Sequence, residues 1–108
     1  MKDKNVGFIG LGNIGAKIAH NILLGGYNLF IHDLDKKKGN VLLKKGAIWS
    51  PNIKNLCNKC TIIITCLPSP KAVVEVIEKN NGLNKCINKK TKVMKLIKGI
   101  YKLLKNYN

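Results

Sequence analysis

The run Val6-Gly7-Phe8-Ile9-Gly10-Leu11-Gly12-Asn13-Ile14-Gly15 limits what this chain can fold into more than any other stretch. Val6 to Ile9 reads as a buried strand that breaks at once into glycines spaced G-x-G-x-x-G. An apolar-periodic helix then starts near Ile14. Each glycine has a separate physical task. Gly10 permits a tight turn, Gly12 has no Cβ to hold a diphosphate away from the main chain, and Gly15 lets the helix lie close on the strand. The first N–H groups of that helix, at the positive end of its dipole, face the same diphosphate. Leu11, Asn13 and Ile14 fill the positions between the glycines, so residues 10–15 form one candidate dinucleotide-binding loop.

An acidic residue at the proper distance strengthens this reading. Tyr27 to His32 reads as a second strand with Asp33 at its carboxyl end, 18 residues beyond Gly15. A carboxylate about 20 residues on accepts from a ribose 2′-hydroxyl and repels the 2′-phosphate of NADP. NAD is therefore favoured over NADP, against the plainer alternative that Asp33 only begins a turn. Lys36-Lys37-Lys38 follow closely and offer positive charge to a 2′-phosphate, which keeps NADP open.

The chain has 108 residues, one domain or part of one, and a formal net charge of +15. All 20 basic residues are lysine. Without arginine, the residue that reads guanine edges and stacks on bases, the charge does not point to nucleic acid. The charge is uneven: residues 1–84 carry 12 lysines and all 5 acids, whereas residues 85–108 carry 8 lysines and no acid. No stretch approaches the roughly 20 apolar residues of a membrane span, and Met1 to Asn5 is too short for a leader. A cytoplasmic protein is the expectation. Cys57 and Cys60 have C-x-x-C spacing, but further ligands for a tetrahedral zinc are missing. Cys57, Cys60, Cys66 and Cys86 are read as reduced structural thiols, and no metal site is expected.

Further along, strand and helix signals alternate. The first helix is expected over Asn13–Leu24, stopped by Gly25-Gly26. A short helix over Lys36–Lys45 leads through Gly46 to a brief strand at Ala47-Ile48-Trp49. Ser50-Pro51 is read as a helix start, with the hydroxyl capping the first turn. Thr61 to Cys66 is a β-branched run suited to a strand buried on both faces. Ser69-Pro70 opens another helix, to about Lys79. The pattern implies a parallel sheet with right-handed crossovers.

With these motifs in hand, the chain resembles the β-hydroxyacid dehydrogenases, which include 3-hydroxyisobutyrate dehydrogenase and are related to 6-phosphogluconate dehydrogenase. The resemblance rests on Gly7 to Gly15, on His32-Asp33-Leu34, on Gly46-Ala47 followed by Ser50-Pro51, and on Ile62 to Pro68. Val73, Val76 and Gly82-Leu83 continue in step, so it covers roughly residues 5–91. It implies an α/β, Rossmann-like parallel sheet with flanking helices, incomplete at about four strands. It also implies that Gly10 to Gly15 hold a pyrophosphate, that Asp33 holds the adenosine ribose, and that Leu67-Pro68 lie against the cofactor. In the family a fifth strand with an Asp-x-Ser-Thr segment follows, and a second domain supplies a catalytic lysine. Neither motif is legible here, so no catalytic residue is carried over and the chain reads as truncated. A small hydroxy acid becomes a substrate only where that missing half is supplied.

Residues 92–108 read as a separate tail. On a helical wheel Lys92, Lys95, Lys98, Lys102 and Lys105 fall on one arc, and Val93, Leu96, Ile97, Ile100, Leu103, Leu104 and Tyr107 on the other. A basic amphipathic helix is expected, covering an exposed sheet. Docking on a membrane or a protein is the less favoured use, and a tail with no selected role is a third reading. Without a fifth strand, Thr61–Cys66 would present a bare, aggregation-prone edge.

Overall fold

The computed structural model describes residues 4–77, 82, 86, 87 and 91–96. Among the described residues ten elements follow in chain order: β1 (Asn5–Ile9), α1 (Asn13–Leu24), β2 (Asn28–His32), a 3-10 turn (Lys36–Gly39), α2 (Asn40–Lys44), β3 (Ile48–Trp49), α3 (Ile53–Lys59), β4 (Ile62–Cys66), α4 (Pro70–Ile77) and β5 (Lys92–Leu96). The strands form one sheet of order β3-β2-β1-β4-β5, with every neighbouring pair parallel. The chain walks outward from β1 through β2 to β3, then returns to the other side of β1 for β4 and β5. This reversal opens a crevice between the carboxyl ends of β1 and β4.

Alternation of side chains along the central strands feeds two cores, one per face. Val6, Phe8, Leu29, Ile31 and Ile64 pack with Leu11, Ala19 and Leu42 on the face covered by α1 and α2. Ile9, Phe30 and Ile63 pack with Leu56, Cys57 and Cys60 on the face covered by α3. Phe8, Ile31, Leu56 and Ile63 are wholly buried. A central strand covered on both sides favours apolar residues on both faces, and β4 supplies them at Ile62, Ile63 and Ile64 as a β-branched run. Trp49 is half-buried against the first core.

Helix ends follow local chemistry, with one difference from expectation. α1 spans the expected residues and closes where Gly25 N–H donates to Asn21 O and Gly26 N–H to Leu23 O. Ser69 Oγ caps α4 by accepting from Ala72 N–H at 3.2 Å. Ser50, however, does not cap α3. The cap is Asn52, whose side chain accepts from Asn55 N–H at 2.8 Å. Ser50 is instead drawn into the sheet margin: its N–H donates to Ile31 O and its carbonyl accepts from His32 Nδ1. Strand pairing took the residue that local capping rules assigned to the helix.

The larger correction lies at the carboxyl end. Residues 92–96, expected as the start of an amphipathic helix, form β5 and pair in register with β4, from Ile62↔Lys92 to Cys66↔Leu96. The sheet therefore has five strands rather than four, and β4 is not an edge. Residues 92–96 belong to the sheet, so the boundary expected after residue 91 does not hold there. The physical reason is long-range. An unpaired β4 leaves a row of buried N–H and C=O groups without partners, and pairing satisfies them whatever the local period favours. The helix expected over 97–108 lies outside the described residues. Among the described residues, no helix is long and apolar enough to cross a membrane.

Ile63 has no exposed surface and sits at the middle of β4. Ile63→Ala should cost about 2–5 kcal/mol through lost burial and an unfilled cavity. Urea unfolding monitored by circular dichroism checks this: the midpoint should fall at unchanged m, and a loss under about 1 kcal/mol would contradict the two-faced burial of β4.

Candidate functional site

The crevice at the strand reversal is a cleft of about 620 Å³. Its walls include all nine residues singled out from the sequence: Gly10, Leu11, Gly12, Asn13, Ile14, Gly15, Asp33, Leu67 and Pro68. The fold thus brings together segments from the ends of β1, β2 and β4 and the start of α1. Ile9, His32, Leu34, Asp35, Lys38, Ile53, Cys66, Ala72, Glu75 and Val76 complete the lining.

The three loop glycines are held for different reasons. Gly10 has φ +100, a left-handed conformation, and a Cβ there would strike the carbonyl of Cys66. A Cβ on Gly15 would strike the carbonyl of Gly10 and crowd the Phe8 ring. Both glycines are therefore demanded by the protein's own packing. Gly12 is not. Its φ of −66 and ψ of −175 suit any residue, and a Cβ there would meet nothing within 4 Å. Only something occupying the open space above it would give glycine an advantage.

The start of α1 faces that space. Gly12 is its N-cap and offers no side-chain hydrogen bond, and its first turn carries no acid. By contrast, side chains cap α3, α4 and the 3-10 turn. The first N–H groups of α1 thus lack an intrahelical or side-chain acceptor, the arrangement in which a helix terminus attracts an anion.

Asp33 forms the opposite wall. Its Oδ2 accepts from Leu11 N–H at 2.7 Å and its Oδ1 from Asp35 N–H at 2.9 Å. The carboxylate both starts a turn and ties the glycine loop to the end of β2. A carboxylate has about four acceptor sites, so two remain for a ligand hydroxyl. The bond to Leu11 was not legible in the sequence, because residues 11 and 33 meet only once β1 and β2 pair. Of the three lysines that follow, Lys38 lines the cleft, whereas Lys36 Nζ lies 5.8 Å from the centre of the Trp49 ring. His32 is anchored beside them by its Nδ1–H, which donates to Ser50 O at 2.8 Å, and by its ring contact with Trp49.

Cys57 and Cys60 are not arranged as a reactive C-x-x-C pair. Among the described residues no group of three or more His, Cys, Asp or Glu could hold a metal ion. Burial pushes the Cys60 thiol up to about 12. Burial, aided by the hydrogen bond shared with Cys86, raises Cys57 still further. A reactive C-x-x-C pair has its thiol lowered instead. Cys66, also raised by burial, sits at the carboxyl end of β4 beside Leu67.

Similarity to known proteins agrees with this geometry. The family model of the NAD binding domain of 6-phosphogluconate dehydrogenase matches residues 5–98, a span that holds all five strands. The uncharacterised oxidoreductase YkwC of Bacillus subtilis (strain 168) is 39% identical over 80 residues, 74% of this chain and 28% of that protein. The probable mitochondrial 3-hydroxyisobutyrate dehydrogenase of Dictyostelium discoideum is 38% identical over 80 residues, 74% of this chain and 25% of that protein. The solved structure of Psf3 in complex with NADP+ and 2-OPP superposes with a TM-score of 0.82 at 29% identity, over 84% of this chain and 32% of that one. The chain spans about a quarter to a third of the length of these proteins. On sequence, topology and the glycine-lined crevice together, this chain belongs to the family of NAD-binding domains typified by that of 6-phosphogluconate dehydrogenase.

Proposed function

We propose that this chain holds a nicotinamide dinucleotide in the β1–β4 crevice, as the cofactor-binding part of an oxidoreductase acting on a small hydroxy acid. The observation that carries the reading is Gly12, a glycine that neither strain nor packing requires, beneath open space at the uncapped start of α1. The main-chain N–H groups of Gly12, Asn13 and Ile14 would donate to the pyrophosphate, and Asp33 would accept from the adenosine ribose. Leu67 and Pro68 would border the nicotinamide half. The bound cofactor supplies a hydride acceptor or donor, while the chain's own residues orient it and exclude water from one face. A substrate such as 3-hydroxyisobutyrate, the compound in the names of several relatives, would meet the cofactor beyond Leu67-Pro68 where the remaining catalytic groups are supplied.

The Asp33 carboxylate favours NAD over NADP. A 2′-phosphate beside a carboxylate already fixed by two main-chain donors meets like charge that cannot swing away. Lys38, in the same cleft, moderates this preference.

Two measurements follow from this assignment. Gly12→Val should leave stability within about 0.5 kcal/mol of the parent yet weaken NADH binding at least tenfold. Gly10→Ala and Gly15→Ala should each cost about 2 kcal/mol or more, from strain or collision with a carbonyl. Thermal unfolding with calorimetric titration separates the two classes, and unchanged NADH affinity in a folded Gly12→Val protein would contradict the assignment. In parallel titrations NADH should bind more tightly than NADPH, and Asp33→Ala should narrow that gap to less than threefold. Equal affinities in the parent protein would remove the role given to Asp33.

A further inference from the structure

The C-x-x-C spacing suggests that Cys57 and Cys60 are partners, yet the structure gives Cys57 a different neighbour. Cys86 lies 29 residues downstream and its Sγ stands 2.7 Å from Cys57 Sγ. Cys86 also directs its S–H toward Gly82 O at 3.5 Å. Two sulfurs at 2.7 Å are closer than thiols in ordinary contact, and they approach the roughly 2.05 Å of a disulfide. Cys57 lies in α3, whereas Cys86 lies in the segment that joins α4 to β5. Both belong to the same packed face as Ile53, Leu67 and Val76, residues that also line the cleft.

The geometry points to Cys57 and Cys86 as a built site for a reversible intramolecular disulfide, formed by exchange with a small-molecule disulfide such as oxidised glutathione. Cys86 is half-buried and Cys57 is 7% exposed, so the oxidant meets Cys86 first. The Cys86 thiolate attacks one glutathione sulfur, a mixed disulfide forms at Cys86, and one glutathione leaves as its thiolate. Cys57, losing its proton, then attacks Cys86 Sγ and displaces the second glutathione. Two protein thiols and one oxidised glutathione become one protein disulfide and two reduced glutathiones, so protons and electrons balance. Closure is the slow step, because burial holds Cys57 as the thiol. The new bond would fasten α3 to the chain entering β5, behind the floor of the cleft. It would also close a loop that contains β4 and α4, removing freedom mainly from the unfolded chain.

The sequence makes the test unambiguous, because trypsin separates the cysteines. Cys57 falls in residues 55–59, Cys86 in residues 86–89, and Cys60 and Cys66 together in residues 60–71. The full chain is treated with oxidised glutathione, alkylated, digested without reductant and analysed by mass spectrometry. The expected product joins peptide 55–59 to peptide 86–89. Two thiols then remain titratable in denaturant where the reduced protein shows four, and Tm rises by at least about 5 °C. Cys60→Ser should form the same link and Cys86→Ser should not. A dominant link from peptide 55–59 to 60–71, or glutathione adducts without closure, or four persisting thiols, would each overturn the proposal. None of these readouts uses the nucleotide, so their failure leaves the cofactor assignment untouched.

Discussion

The close approach of two bare backbones sets the geometry on which the site depends. Gly15 at the start of α1 rests against the carbonyl of Gly10, and Gly10 rests against the carbonyl of Cys66 at the end of β4. A methyl group at either position would part the helix from the sheet. With none, α1 begins within the crevice that the strand reversal opens, and its first N–H groups point across it. Because the interior is close-packed, this position is fixed by exclusion rather than by a single strong bond. Asp33 adds the bond that holds the loop itself, through Leu11 N–H.

The rest of the fold supports that arrangement from two sides. β1 is central and buried on both faces, so neither its register nor its end point can shift without moving the whole apolar set. β2 delivers His32 and Asp33 to one wall, and β4 delivers Cys66, Leu67 and Pro68 to the other. Strong scaffold strands with short carboxyl-end loops are the usual way an open parallel sheet positions a ligand. β5 completes the pairing of β4 and keeps its hydrophobic run away from other chains.

Most of this is legible in local signals of the sequence. The glycine spacing, the β-branched run at residues 62–64 and the span of α1 each follow from short-range rules, and the structure places them as those rules require. The strand at residues 92–96 is not legible locally because its lysine and apolar spacing satisfies a helical wheel, whereas its state is decided by a strand about 30 residues earlier in the chain. Asn52 rather than Ser50 caps α3 for a similar reason: main-chain bonds to Ile31 and His32 hold the Ser50 backbone at the sheet margin, ahead of the first turn. The same blindness to distant partners hid the Leu11–Asp33 bond and the meeting of Cys57 with Cys86. What sequence spacing could identify was which residues line the crevice; what it could not identify was how they hold one another.

The central claim is that a diphosphate sits on the bare main chain above Gly12, held by the start of α1. Titrating the ¹⁵N-labelled chain with NADH and following each backbone amide by NMR tests it most directly. The account predicts that the largest shifts fall on the Gly12, Asn13, Ile14 and Gly15 amides and saturate on one binding curve with those of Leu11 and Asp35. Saturable binding with those six amides unmoved would contradict it.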